Sequence, residues 1–226
     1  MQKSQFFGLG IVHFDSHTIP THQINSRLVK MKNVRRYLSS LLLVTLAFGC
    51  YGSQQADVNT DTEVAAAKAA IRDLAGALQT ELKNAMQTGG PVAAVGVCNT
   101  QAMPITARVA VDQGMELGRV SLKNRNPVNA ANDWQTAVLE DFERQKSAGK
   151  DVTTLAWSET AKVEDGREFR FMKAIPTGAV CLLCHGVTLA PGVGDILADL
   201  YPEDRATGFS EGDIRGAFVV TRKLSN

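Results

Sequence analysis

Hydrophobic positions in the first half of the chain recur at the spacing of amphipathic helices. The clearest run covers residues 62–87, where Asp61 and Thr62 are capping types at the start and Gly89-Gly90-Pro91 is expected to end the helix. A second helix is predicted over residues 92–113 and a third over 133–147. The apolar positions of the first helix are Val64, Ala67, Ile71, Leu74, Leu78, Leu82 and Met86.

Outside the three predicted helices the pattern changes. Residues 114–131 are basic, rich in Asn and broken by Pro127, so they are predicted as strand plus loop. Residues 153–159 and 167–175 are predicted strands, joined through Asp165-Gly166, which is a hairpin signal. A Gly/Pro-rich loop, a turn at Tyr201-Pro202 and a last strand over 216–223 follow. Helices before an antiparallel sheet indicate an α+β domain with a long N-terminal helix.

The first 50 residues have the composition of a targeting signal. Residues 31–36 are a short basic region, and residues 37–48 are an apolar stretch too short to span a membrane. Because Met31 stands where a signal peptide would begin, residues 1–30 are interpreted as a start-site artefact. The predicted organisation is a signal peptide over 31–50, a flexible tether over 51–62 and a folded domain over 63–226.

Cys50 directly after Gly49 favours a lipoprotein cleavage site, with ordinary signal-peptidase cleavage as the alternative. Either route predicts export to the periplasm, with possible membrane attachment through a lipidated Cys50. The net charge of +1 also conceals two regions: residues 51–226 carry 18 Lys+Arg and 22 Asp+Glu. A mildly acidic domain without a clustered basic face gives no support for nucleic-acid binding.

The segment Cys181-Leu182-Leu183-Cys184-His185 has the spacing of a c-type haem attachment site. Two thiols three positions apart can form thioether bonds to one porphyrin, which makes the adjacent imidazole an iron ligand. A disulfide would leave His185 unexplained, and tetrahedral zinc needs a fourth protein ligand. A thioredoxin-like redox pair needs a different order of elements. One covalent haem c is therefore the predicted cofactor.

The residues alone leave several candidates for the second iron ligand. The other histidines, His13, His17 and His22, precede Met31, so bis-histidine ligation is not expected. A His/Met pair would be conventional in an electron carrier, whereas a lone cysteine is most often a small core residue. The candidates that remain are Met86, Met103, Met115, Met172 and Cys98.

Several motifs resemble one family, the bacterial single-haem c-type cytochrome domains with a PAS-like fold, which were long described as a domain of unknown function. The motifs are residues 118–129, Trp134, residues 138–142, 181–186, 201–208 and 213–217. The resemblance covers roughly residues 63–224. It implies an antiparallel PAS-like sheet flanked by helices, and haem iron held by His185 and Cys98. One departure, Met103 inserted before Pro104, keeps Met103 as a competitor for the Cys98 position.

Charge complementarity to the haem propionates makes Lys123, Arg119, Arg125 and Arg215 candidate partners, of which Arg125 and Arg215 are favoured. A thiolate ligand would lower the reduction potential, so low-potential electron transfer with a separate redox partner protein is expected. The alternative is a haem-based redox or gas (NO/CO) sensor that acts through a partner protein. Two iron ligands would leave no open site on the haem, and no acid–base constellation is evident in the sequence, so we expect no enzyme.

Overall fold

The computed structural model describes residues 59–225. The predicted start-site artefact, the signal peptide, Cys50 and residues 51–58 of the predicted tether lie outside the described residues. The described elements are, in chain order, α1 (Thr60–Gln113), β1 (Glu116–Val120), α2 (Asp133–Ser147), β2 (Ala156–Val163), β3 (Gly166–Pro176), α3 (Leu182–His185), α4 (Val193–Leu200) and β4 (Ile214–Leu224). None of the described helices is both long and apolar enough to cross a membrane.

The first two predicted helices are the two arms of α1. Gly90 interrupts the helix with a φ of 68°, which a residue without a Cβ adopts readily. The arms then run antiparallel, since Leu74 packs against Ile105 and Val109 and Gln113 donates to Asp73 at 2.7 Å. The predicted cap was wrong: the Asn59 side chain accepts the first amide bonds, so the helix begins two residues before Thr62.

A four-stranded sheet follows, in the order β1-β4-β3-β2 with every neighbouring pair antiparallel. Its two faces pack on different helices because side chains alternate along each strand. Phe171 and Val220 pack with Ala67 and Ile71 of the N-terminal arm of α1. Met172 and Val219 form a second core with α2 on the other face. The α+β class, with a long N-terminal helix and an antiparallel sheet, is confirmed.

Helix α2 matches its predicted bounds because its start is chemically specific. Asn132 caps the Gln135 amide while the Gln135 side chain returns to the Asn132 amide, which is a reciprocal capping box. Its buried side chains Val138, Leu139 and Phe142 enter the core. The β2–β3 hairpin also forms where Asp165-Gly166 predicted it.

Helix α4 was missed. Residues 187–200 were predicted to be a loop because Pro191, Gly192 and Gly194 are loop signals. In the structure Val193 and Leu197, four positions apart, are buried against Val95 of the C-terminal arm of α1 and against Tyr201. Tertiary burial of this apolar face outweighs the weak helix propensity of the glycines.

Candidate functional site

A cavity of about 230 Å³ lies at one end of the sheet, where β1 and β3 end and β4 begins. The C-terminal arm of α1 and the Cys181–His185 segment form its other walls. The site residues favoured from the sequence all line this one cavity: Cys98, Arg125, Cys181, Cys184, His185 and Arg215. The fold therefore brings together side chains that come from four separate parts of the chain.

The Cys181–His185 segment forms a tight turn. Cys181 ends the short 3-10 helix Ala179–Cys181, and α3 closes with a backbone bond from the Gly186 amide to the Leu182 carbonyl at 2.9 Å. A Cβ at Gly186 would lie 2.7 Å from that carbonyl oxygen, so the turn requires glycine there. Cys181 and Cys184 are free, half-buried thiols at the cavity wall.

His185 is held in one tautomer. Its Nδ1 lies 2.7 Å from the Ala206 carbonyl oxygen, and because that oxygen only accepts, Nδ1 carries the proton. Nε2 is therefore the nitrogen with a free lone pair. Burial, followed by the positive charges of Arg215 and Arg125, lowers the pKa of His185 to about 3. A neutral imidazole that donates its other N–H to a carbonyl is the usual form of a metal-ligating histidine.

The loop after α4 holds the histidine segment in place. The Phe209 amide donates to the His185 carbonyl at 3.0 Å, and the Gly208 amide donates to the Gly186 carbonyl at 3.1 Å. The Phe209 ring also meets the imidazole edge-on, with the ring centroids 6.3 Å apart. The imidazole is thus fixed both through its own N–H and through its backbone.

Two arginines present donors to the cavity that the protein does not use. The Nε of Arg215 is buried without a hydrogen-bond partner among the described residues, although its Nη1 donates to Ser121 and Lys123. Arg119 lines the cavity and makes no side-chain hydrogen bond within residues 59–225. Burial lowers the pKa of both guanidinium groups, for Arg215 to about 10. Such a site favours an anionic ligand.

Arg125 differs, because most of its donors are already engaged by the protein. It forms a buried ion pair with Asp204 at 3.1 Å, and its Nη2 donates to the Cys184 and Ala206 carbonyl oxygens at 2.6 and 3.3 Å. Its assignment as a propionate partner stays a prediction. Lys123 is exposed, donates to the Thr207 carbonyl and lies over the Phe209 ring, away from the cavity lining.

Cys98 is at the centre of the helix face that lines the cavity. Ala94, Val95 and Ala102 line the cavity beside it, within about 60° of Cys98 around the helix axis at about 100° per residue. Met103 also lines the cavity but lies about 140° from Cys98 by the same geometry. Cys98 is exposed in the open cavity, yet desolvation by the cavity walls raises the pKa of its thiol, while Arg119, Arg125 and Arg215 act in the opposite direction.

The other sulfur candidates separate into two groups. Met86 lines the cavity, whereas Met115 is buried among Ala67, Ala70 and Phe169, and Met172 lies in the core beneath α2. The last two are core residues and have no access to the cavity lining. His13, His17 and His22 lie outside the described residues. Among residues 59–225 no three His, Cys, Asp or Glu side chains are grouped closely enough to hold one metal ion.

The residues that sequence reasoning missed are those that support the site rather than line it. Asp204 and Ala206 were quoted only as part of a motif, yet they anchor Arg125 and His185. Arg119 was a candidate that was not favoured, but it has more unused donors than Arg125. The sequence offered one signal for these supporting residues, the acidic Asp204 within a short motif. It did not indicate that Asp204 pairs with Arg125, which lies 79 residues away in the sequence.

The fold and the site define a class: an α+β domain in which a Cys-x-x-Cys-His segment and unpaired arginines share one cavity. The chain belongs to the Tll0287-like family, whose sequence profile matches residues 21–222. This confirms the family expected from the motifs. A similar solved structure is that of the cyanobacterial haem protein Tll0287, which is 26% identical and matches 72% of this chain and 92% of that chain, with a TM-score of 0.49. Comparison with curated proteins gave no match.

Proposed function

We propose that this chain is an exported cytochrome that carries one covalent haem c and transfers electrons at low potential. The observation that carries the proposal is the donor set of the cavity. Two free thiols three positions apart, a neutral imidazole with a free Nε2 and an orphaned guanidinium Nε line the same space. Membership of the Tll0287-like family, in which Tll0287 is described as a haem protein, supports the same group here.

Each part of this donor set fits a different part of the group. Cys181 and Cys184 would form the two thioether bonds, and His185 Nε2 would be the first iron ligand. Arg119 and Arg215 would pair with the propionate carboxylates, with Arg125 at the same wall. When bound, the haem supplies a one-electron ferric/ferrous couple. The chain contributes attachment, orientation and charge compensation.

The test of attachment uses the two thiols. The wild-type protein should retain its haem after acid–acetone extraction, and Cys181→Ala with Cys184→Ala should release all of it. Cys98→Ala is the matched control, since it removes a thiol from the same cavity without breaking a thioether bond. Complete release of haem from the wild-type protein would refute the proposal.

Cys98 is the proposed second iron ligand. It is central on the cavity-facing side of α1. Desolvation raises the pKa of its thiol more than the three nearby guanidinium groups lower it, so the charge of bound ferric iron would be what favours the thiolate. Thiolate donation stabilises the ferric state, which lowers the reduction potential. Cys98→Ser should change the ferric spectrum and raise the potential, while Met103→Leu should leave both nearly unchanged. A near-infrared methionine–iron band in the wild-type protein would instead support Met103.

A second candidate function is redox or gas sensing through a partner protein. The observation that favours it is a second, mainly apolar cavity of about 200 Å³ that also contacts Cys98, beside Leu78, Leu82 and Ile105. This space would accommodate a displaced Cys98 side chain or a small apolar ligand. Optical titration of the ferrous protein with CO separates the two: replacement of Cys98 at low CO concentration favours sensing, and an unchanged spectrum favours electron transfer.

Export and lipid attachment are part of the same proposal. If Cys50 is lipidated, the wild-type protein should partition with membranes and Cys50→Ala should move to the soluble periplasmic fraction. Equal partitioning of the two proteins would rule out the lipid anchor but not export. A cytoplasmic location of both would rule out export.

A further inference from the structure

We propose that the buried Arg125–Asp204 pair fixes the position of the His185 imidazole. The pair holds helix α3, which carries His185, and it also holds the Ala206 carbonyl group, which accepts the hydrogen bond from the imidazole. The iron-ligand role of His185 rests on the proposed function, whereas the hydrogen-bond network does not. Arg125 was expected to contact propionates, and its observed contacts are with Asp204 and with two carbonyl groups beside His185.

A single nitrogen of Arg125 joins the two backbone groups that determine where the ring lies. Its Nη2 donates to the Cys184 carbonyl, one residue before His185, at 2.6 Å. The same Nη2 donates to the Ala206 carbonyl at 3.3 Å. That second oxygen is the one that accepts the His185 Nδ1 proton at 2.7 Å. Arg125 therefore sets the distance between helix α3, which carries His185, and the Ala206 carbonyl group that accepts from the His185 imidazole.

Asp204 completes the network from the other side. Its Oδ2 accepts from Arg125 Nε at 3.2 Å, and its Oδ1 accepts from the Ala206 amide at 2.8 Å. The two residues' side chains are only 9% and 11% exposed, so the contacts are little weakened by solvent. A backbone bond from the Arg205 amide to the Asn124 carbonyl at 3.0 Å joins the same two loops.

The network explains why a buried ion pair lies beside a neutral imidazole. A buried pair is weak support for stability by itself, because desolvation offsets most of its Coulombic gain. Its contacts instead hold the carbonyl groups of Cys184 and Ala206, in addition to the backbone bonds that Gly208 and Phe209 make to the same segment. Supporting groups of this kind orient metal-ligating histidines in general. Arg125 and Asp204 are thus positioning residues. Both form hydrogen bonds to Ala206, and the Ala206 carbonyl group in turn orients His185.

The test follows the His185 Nδ1 proton by NMR in the full chain as purified, with ¹⁵N-labelled histidine and under reducing conditions. His185→Gln identifies the signal. Arg125→Met should accelerate exchange of this proton with solvent roughly tenfold, the equivalent of one lost hydrogen bond to a charged donor. Asp204→Asn keeps an acceptor for the Ala206 amide and should give a smaller acceleration. The matched control is Arg205→Met, an exposed arginine of the same loop, which should have no effect.

Exchange in Arg125→Met and Asp204→Asn that equals that of Arg205→Met would overturn the proposal. If Arg125→Met does not fold, Asp204→Asn decides alone. Failure of the proposed function is detected separately, as the absence of covalent haem from the wild-type protein. In that case the exchange rates still decide whether Arg125 and Asp204 position the His185 imidazole. In haem-loaded protein, Arg125→Met should also shift the reduction potential relative to Arg205→Met.

Discussion

The core beneath α2 and the cavity at the end of the sheet are built on the same strands but differ in the polarity of the side chains that the strands contribute. Beneath α2, Phe142, Met172 and Ala217 are fully buried in an entirely apolar cluster. At the cavity end, the Nε of Arg215 is buried without a partner among residues 59–225. The first region is complete with its own side chains. The second concentrates positive charge and unused donors, which indicates that a ligand completes it.

The largest expected effect is in the apolar region. Phe142→Ala should lower the free energy of unfolding by about 3–5 kcal/mol, because it leaves a cavity in a fully packed core. The loss should be the same with and without haem, the latter prepared as Cys181→Ser with Cys184→Ser. Urea denaturation measures it, and the exposed Glu140→Ala on the same helix is the control. A similar loss in both helix variants would show that the core is not tightly packed.

Gly216 lies where the two regions meet. A Cβ there would approach the Val120 carbonyl oxygen to 2.3 Å, at a φ of 156°, so Gly216→Ala should cost about 1–3 kcal/mol. Gly118→Ala in β1 is the matched control, since its Cβ would meet only Val219 Cγ1 at 3.5 Å. Thermal unfolding of both variants checks the difference. Equal stability of the two would mean that β1 and β4 separate easily at this end.

Arg215→Met tests the difference between the two regions, because its effect on the free energy of unfolding should depend on whether haem is bound. Without haem the substitution removes the Nη1 bonds to Ser121 and Lys123 but also relieves an unsatisfied buried Nε, so the net cost should be less than about 1 kcal/mol. With haem it also removes a charged donor to a carboxylate and should cost about 1–3 kcal/mol. Urea denaturation of both forms gives the two values. Equal costs would indicate that Arg215 supports the fold rather than the ligand.

The smallest expected effect concerns Lys146 of α2, which donates to Asp213 just before β4 at 2.6 Å. This bond, followed by that from the Ser210 amide, holds the pKa of Asp213 below its ordinary value. A depressed carboxylate pKa stabilises the fold at neutral pH, and this contribution is lost as pH falls through the folded-state pKa. Lys146→Met should therefore cost less than about 1 kcal/mol at pH 7.

The cost of Lys146→Met should be smaller at an acidic pH below the folded-state pKa of Asp213 than at pH 7, because Asp213 is then protonated in both proteins. Urea denaturation at the two pH values checks this, with the exposed Lys162→Met as a control for net charge. A cost that does not change with pH would assign the effect to packing of the lysine side chain instead.

The sequence predicted what local chemistry determines. The bounds of α2 follow from the Asn132 cap, and the Cys181–His185 segment is recognisable from its spacing alone. Helix α4 was missed because Gly192 and Gly194 are local loop signals, while the burial of Val193 and Leu197 depends on distant residues.

The partners of the site residues were harder to predict for the same reason. Charge alone placed Arg119, Arg125 and Arg215 in one group of candidates. Only the fold separates them, because Asp204 engages Arg125 whereas Arg119 keeps its donors unused within the described residues. Likewise, Met115 and Met172 are excluded as ligands by their burial in cores, which their residue type could not show.

The most direct test of the central claim is the mass of one peptide. Trypsin should release residues 174–205 as a single fragment, because no Lys or Arg lies between Lys173 and Arg205, and this fragment contains Cys181, Cys184 and His185. The account predicts that the peptide carries one covalently bound haem and has no thiol available for alkylation. A peptide of unmodified mass with two alkylatable thiols would contradict it.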